Sequence, residues 1–478
     1  MKMNRNALCR ILSGCFIYLL LVGGLAVPTM ATDAFPTYVY NSREQAVPTA
    51  KAYEVVRTIG IRDLKNEEYP DGIPDEMGGK ELINPSDFYV DKNNDLYIFD
   101  WENSRVVVMN SDLTLKKVIK LTEDRVVGEE IIVLDVVLAQ GDGIFVDDEG
   151  LIYLCASDDN MVCIFNQDGK MIDKILIPDS PILPEKFNYR PIKAEIDSGG
   201  IMYVLSKGCA TGAMQFDSKG QFMGFYGGED VDITFDVLLG YFWKSIMSDA
   251  AVGGMERSVS VEFNSFCIDH KDFVFTIRKG TETNSGQVRK LNAKGDNVLD
   301  PDKRFGDYVG KTQLTDIVVD DDGFITAIDL ETGHIMQYDQ DGQMLYAFGG
   351  KGSTEGAFYT IQSIESIGKN LIVLDKGTGL ITVFEPTDFA NNVREATLLY
   401  SDGKPLWEKV LASDNNYELA NLGMGKIYEG LGEYKTAMEY YKKGNNKEFY
   451  SEAFEKYRAD LLREYFAVLM IVIVLVIA

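Results

Sequence analysis

Histidine is nearly absent from this sequence: 478 residues contain only His270 and His334. Two histidines this far apart do not make a catalytic constellation, and a histidine-rich metal centre is excluded. Cysteine is also scarce. Of six cysteines, Cys9 and Cys15 lie near the N-terminus, and no CxxC spacing occurs, which argues against zinc and thioredoxin-type sites. Nucleophile elbow, P-loop and dinucleotide fingerprints are missing. Basic residues are outnumbered, 47 Lys and Arg against 74 Asp and Glu, for a formal charge of −27 and a pI near 4.5. Such a balance disfavours nucleic acid and anionic lipid as partners. Its simplest meaning is solubility, with a cationic partner as the other reading.

Long apolar runs occur only at the two ends. Lys2, Arg5 and Arg10 precede an apolar stretch from Phe16 to Val27, and Thr29-Met30-Ala31 supplies a small-x-small cleavage site. Residues 1–31 therefore read as a signal peptide, which makes the chain an exported one. Leu12-Ser13-Gly14-Cys15 has the look of a lipobox but precedes the apolar run instead of following it. Cys155, Cys163, Cys209 and Cys267 remain after cleavage. Cys155 and Cys163 flank a turn and can face each other across a hairpin, so a disulfide in an oxidising compartment and a pair of free buried thiols both stay open.

Between these ends a motif recurs. Its first copy runs Asn84 to Asp91, turns at Asn93-Asn94, continues Leu96 to Asp100, turns again, and ends Arg105 to Met109. These are short β-rich runs separated by turn residues. Equivalent centres fall at Tyr97, Tyr153, Tyr203, Phe275, Thr326 and Ile372, 46 to 72 residues apart. A fourth strand follows several copies, as in Met171 to Ile177 and Met344 to Phe348. Six four-stranded units that bury their faces only against neighbours predict a mainly β, six-bladed propeller over residues 52–395. Tyr53 to Gly60 looks like an outer strand placed ahead of the first blade, suited to closing the ring and removing its open edges.

The unit resembles the NHL repeat, in which a strand-end Asp precedes a polar turn and an Arg. Asp100 and Arg105 match that pattern, and Asp329 and Asp375 keep the acidic position. Ala156, Ser206 and Arg278 depart from the acidic position, while Met161, His334 and Leu380 replace the Arg. The candidate ligand-binding residues are therefore Asp100, Trp101, Arg105, Asp329, His334 and Asp375, with His334 expected to point toward the axial channel. Repeated strand-end aspartates also serve as turn acceptors, which is the structural alternative. Asp147-Asp148-Glu149-Gly150 and Asp320-Asp321-Asp322-Gly323 have a calcium-like look without the rest of an EF-hand loop, so ordinary turns explain them better.

Residues 230–257 interrupt the repeat. Phe235 to Met247 places Phe235, Leu238, Leu239, Phe242, Trp243 and Ile246 at helical spacing. This insert packs over the propeller, or acts as a lid or docking patch in which Phe235, Phe242 and Trp243 are the contacts. From about residue 396 to 463 the period becomes helical. Gly425, Tyr428, Gly432, Tyr434, Ala437 and Tyr441 resemble the signature of a TPR unit, whose expected role here is a spacer. Residues 465–478 form an apolar run too short to span ~30 Å of hydrocarbon, expected to be the start of a transmembrane helix.

The whole order resembles a family of Firmicute cell-surface proteins that join a signal peptide, an NHL propeller and a TPR-like linker to a Yip-type membrane domain. Shared features include Tyr38-Val39-Tyr40, Phe384-Glu385-Pro386-Thr387 and Ala437-Met438-Glu439-Tyr440-Tyr441. That resemblance implies a location on the outer face of the membrane, C-terminal anchoring and an association with carbohydrate uptake. The expected function is a non-enzymatic binding or scaffold module for a glycan, peptide or membrane protein. No cofactor is required, calcium being the one ion to consider. The alternative is a gluconolactonase-like hydrolase or lyase with an axial divalent metal, to be recognised by carboxylates from three or more blades converging at the channel.

Overall fold

The computed structural model describes residues 35–477 apart from 128–129, 181–182, 184–186, 210, 229–262, 279–285, 302 and 309–311. The expected signal peptide and the insert with Phe235, Phe242 and Trp243 lie outside the described residues. Six antiparallel sheets follow one another along the chain and form the blades of a propeller. Blade 1 spans Asp87 to Lys120, blade 2 Ile144 to Ile175, blade 3 Pro191 to Gly227, and blade 4 Phe263 to Leu291. Blade 5 covers Leu314 to Gly349 and blade 6 Ile361 to Pro386.

Each blade runs outward from an inner strand. The second strands are buried along their length, as in Leu96–Asp100, Ile152–Ala156 and Ile325–Asp329. Their continuous apolar composition follows from having a neighbouring blade on both faces. The outer strand of blade 2, Met171–Ile175, is by contrast largely exposed. Tyr53–Ile59 closes the ring: it pairs antiparallel with Leu380–Pro386, setting Ile59 opposite Ile381 and Val55 opposite Phe384. An early segment thus becomes the fourth strand of the last blade, and neither chain end leaves an open ladder at the seam.

Cys155 and Cys163 are both free and buried. Cys163 lies directly opposite Leu154, and Cys155 opposite Val162. Adjacent strand positions face opposite ways, so the two thiols enter different inter-blade cores and cannot meet.

A helical segment follows: α1 (Asp388–Leu399), α2 (Lys404–Ser413), α3 (Glu418–Gly430), α4 (Tyr434–Lys443) and α5 (Lys447–Ile477), with a 3-10 turn at Tyr400–Gly403. Phe389, Val393, Trp407 and Tyr417 share one apolar core with Phe348 and Phe384 of blades 5 and 6. The Tyr417 hydroxyl donates to the Leu345 carbonyl at 2.7 Å. Arg394 of α1 is buried, bonds Asp320 at 2.7 Å, and lies 4.2 Å from the Phe324 ring centroid. Between α3 and α4, a Cβ on Gly425 would meet the Tyr441 ring at 2.4 Å, so only glycine lets these helices approach.

The transmembrane helix expected at 465–478 is not found as a spanning element. No helix among the described residues is long and apolar enough to cross a membrane. The first half of α5 carries Glu452, Glu455, Lys456, Arg458, Asp460 and Arg463, and the apolar part after Tyr465 supplies only about 18 Å of rise. Phe466, Val472 and Val476 in that part are exposed.

The Arg394 ion pair joins the helices to the ring. Truncating it to Ala leaves Asp320 buried and unpaired, so Arg394→Ala is expected to lower the unfolding free energy by about 3–5 kcal/mol. Urea denaturation checks this, with Arg394→Met losing less because it refills the space over Phe324.

Candidate functional site

The propeller axis is lined by the starts of the six inner strands. Corresponding positions are fixed by register. Asp87, Lys193, Ser265, Asp316 and Ser363 lie directly opposite Phe99, Leu205, Ile277, Ile328 and Leu374. In blade 2 the same place is held by Gly143, whose carbonyl accepts from the Cys155 amide at 2.8 Å. A Cβ on Gly143 would lie 2.5 Å from the Ile192 carbonyl, so glycine allows blade 3 to close on blade 2.

Five of these six side chains are polar, and they satisfy one another. Asp316 accepts from Lys193 Nζ at 2.9 Å, from Ser265 Oγ at 2.8 Å, from Ser363 Oγ at 2.8 Å and from the Ile364 amide at 3.0 Å. Asp87 accepts from the Ile144 amide at 3.2 Å and lies 2.6 Å from the same Ser363 Oγ, whose single proton the two carboxyls share. Two residues further along each strand, on the same face, come Tyr89, Phe145, Glu195, Cys267, Val318 and Glu365. Tyr89 and Phe145 meet edge to face at 4.9 Å, and Glu195 accepts from the Ile268 amide at 2.9 Å.

One ammonium thus faces four carboxyl groups and bonds Asp316 directly. Burial pushes Asp87 up to about 6, with Lys193 opposing and Asp316 reinforcing the rise. Burial also pushes Glu195 up to about 8, against the pull of Lys193, and drives Glu365 well above the usual carboxylate range. Burial alone would lower the Lys193 pKa, but Asp316, Asp87, Glu195 and Glu365 together hold its ammonium protonated. Carboxylates from four blades do converge here. However, Lys193 and two serine hydroxyls stand between them, and no group of three or more His, Cys, Asp or Glu among the described residues is placed to hold a metal ion.

Above this network opens a cavity of about 360 Å³ to which all six blades contribute. Ser86, Asp87, Gln140, Asp142, Lys193, Lys207, Asn264, Ser265, Gln313, Asp316, Gln362 and Lys376 supply its polar lining. A larger cleft of about 1050 Å³ lies between the hairpin formed by Tyr38–Tyr40 and Ala46–Pro48, the side of blade 5 and the helices. There Glu418 accepts from the Ser42 amide at 2.8 Å, tying the hairpin to α3.

None of the six residues singled out from the repeat lines the axial cavity. Asp100 and Arg105 are fully buried and bond each other at 2.6 Å. Arg105 spends its remaining donors on the carbonyls of Met77, Gly79 and Glu81. Asp329 accepts from the amides of Gln313 and Glu331, and Asp375 from those of Tyr359, Thr360 and Gly377. These strand-end aspartates pin the loop that leads into their own blade's inner strand, which positions the cavity wall. Trp101 is half-buried with its side chain beside Gly141. His334 does not point into the channel. It starts the third strand of blade 5, where its Nδ1 lies 3.1 Å from Asp307 Oδ2 and 2.9 Å from the Tyr38 hydroxyl. The calcium-like turns are closed by their own backbone: Asp147 accepts from Glu149 and Leu151, and Asp320 from Asp322 and Phe324.

No protein-family model matches the chain, and no curated protein matches its sequence. Among solved structures, a virginiamycin B lyase from Staphylococcus aureus aligns at 8% identity over 70% of this chain and 99% of its own, with a TM-score of 0.42. A streptogramin B lyase structure aligns at 10% identity over 74% and 98%, with a TM-score of 0.39. Likeness at this level carries no inference about chemistry, and the six-bladed architecture rests on the chain's own strand pairing.

The raised pKa of Glu195 has a signed consequence. In the range between its ordinary 4.5 and about 8, the folded chain holds a proton that the unfolded chain has released. Stability is therefore greatest at the acid end of that window and falls as pH rises through it. Glu195→Gln removes this loss. Its melting temperature should exceed that of the parent at pH 8 and converge with it near pH 4.5, and an offset independent of pH would contradict the assignment.

Proposed function

We propose that the chain is a non-enzymatic, extracytoplasmic binding module whose axial mouth receives a polyhydroxylated ligand, a glycan in the simplest case. One observation carries this reading: all six blades contribute to a single polar cavity of about 360 Å³. Amides, hydroxyls and ammonium groups arranged around a small concave site are what sugar hydroxyls need, since each can donate and accept. Beneath it, Asp316 has its hydrogen-bonding capacity filled by four donors, which makes it a floor rather than a reacting group. The NHL-like ring is the receptor in this reading, and the TPR-like helices space it from the membrane. In the same reading the apolar end of α5 contributes to tethering, and the resemblance to cell-surface proteins is what supports a ligand connected with carbohydrate uptake.

A second reading has one specific observation in its favour. Asp87, Glu195, Asp316 and Glu365 approach the axis from four blades, as a hydrolase or lyase with an axial divalent cation would require. Calcium is the ion to test. A cation that bound there would stabilise the fold in proportion to its occupancy.

Calorimetric titration of the full chain with cell-wall glycans and oligosaccharides separates the two. The binding reading predicts saturable association with one glycan class, weakened at least about tenfold by the double change Gln313→Ala with Gln362→Ala, which removes two side chains able to bond hydroxyls. It also predicts a melting temperature unmoved by calcium. A calcium-dependent rise of several degrees, with no glycan bound, would overturn it in favour of the second reading.

A further inference from the structure

The axial mouth departs from the charge of the rest of the chain. Acids outnumber bases 74 to 47 in the sequence, but this cavity is balanced, with Lys193, Lys207 and Lys376 beside Asp87, Asp142 and Asp316. Lys193 is buried and committed to Asp316 at 2.9 Å. Neither Lys207 nor Lys376 forms a side-chain hydrogen bond or close ion pair within the described residues, although the Lys207 ammonium is near enough to Asp142 to oppose the rise that burial causes in that carboxyl.

These two occupy the same place in their blades, one residue past the end of the second strand. The backbone holds both. Lys207 donates its amide to the Arg190 carbonyl at 2.8 Å, and Lys376 to the Thr360 carbonyl at 2.9 Å. The residues before them are fixed as well, since Ser206 Oγ accepts from the Arg190 amide and Asp375 from three amides. Blades 3 and 6 are three apart in a ring of six, so the two lysines enter the mouth from opposite sides.

The acids of the cavity are already served. Asp316 has four donors, Asp87 accepts from two amides and shares the Ser363 hydroxyl with Asp316, and Asp142 accepts from the Ser157 amide at 3.2 Å. Of the polar groups left open, Lys207 and Lys376 are pure donors with positive charge. Gln313 and Gln362 can both donate and accept. A ligand that fills this set needs an anionic acceptor for the lysines and hydroxyls for the amides.

We propose that the ligand of the axial mouth is an acidic saccharide, of the uronic-acid type, whose carboxylates are held by Lys207 on one side and Lys376 on the other while its hydroxyls meet Gln313 and Gln362. This rests on the reading of the mouth as a glycan site and names the class of glycan. A charge-assisted bond to carboxylate is about twice as strong as a neutral one, and ammonium pairs near the surface weaken with salt.

The test compares matched probes, digalacturonate and digalactose, titrated into the full chain by calorimetry at low salt. Digalacturonate is expected to bind at least about tenfold tighter, with the preference shrinking as sodium chloride approaches half molar. Lys207→Gln with Lys376→Gln should bring the two affinities within about twofold of each other, while the conservative Lys207→Arg with Lys376→Arg retains the preference. An unchanged melting temperature shows that each variant is folded. Equal binding of both probes to the parent chain would overturn the acidic-ligand inference and leave the glycan reading standing. Binding of neither probe, nor of any glycan in the wider titration, would overturn both.

Discussion

Two carboxylates, those of Asp87 and Asp316, bind the ring together at its axis. Asp316 receives donors from blades 3, 4 and 6 while belonging to blade 5. Asp87 belongs to blade 1 and receives donors from blades 2 and 6. Ser363 bonds both, so the six inner strands start from one continuous network. Apolar contacts between neighbouring blades are local and non-directional; they settle that blades pack, not where each inner strand begins. The axial network settles the latter. It therefore fixes the depth and outline of the cavity above it.

The same network explains why the axis is polar at all. Six strand starts bring backbone amides and carbonyls together at the axis, and buried polar groups need partners. Placing Asp, Ser and Lys there supplies them. The cost is electrostatic. Four carboxyl groups face one ammonium, and burial raises the proton affinity of Asp87, Glu195 and Glu365. Breaking such a group is more damaging than never having built it, because the remaining charge is left without a partner.

Much of the architecture was legible in sequence because strand alternation and turn residues are local signals. Tyr97, Tyr153 and Tyr203 mark successive second strands by pattern alone, and Tyr53 to Gly60 announced a strand with no blade of its own. The axial site was not legible. Its six positions read Asp, Gly, Lys, Ser, Asp and Ser. They share no chemistry that a repeat search could align, and their equivalence appears only through the register with the second strands. The usable signal was subtle: a charged or hydroxyl residue two or three positions into an inner strand, as at Lys193, Asp316 and Ser363. The eye goes instead to Asp100, Asp329 and Asp375, which do recur, because turn geometry demands the same acceptor each time. His334 was misplaced for a related reason. Its position in the repeat is the third strand, which lies outside the channel wall.

Asp316 and Lys193 act as one unit holding blades 3 and 5 at the axis. A double-mutant cycle with Asp316→Asn and Lys193→Met, followed by urea denaturation, tests it most directly. Each single change is expected to be strongly destabilising and the pair together to cost far less than their sum, with a coupling of at least about 2 kcal/mol. Additive effects would contradict it.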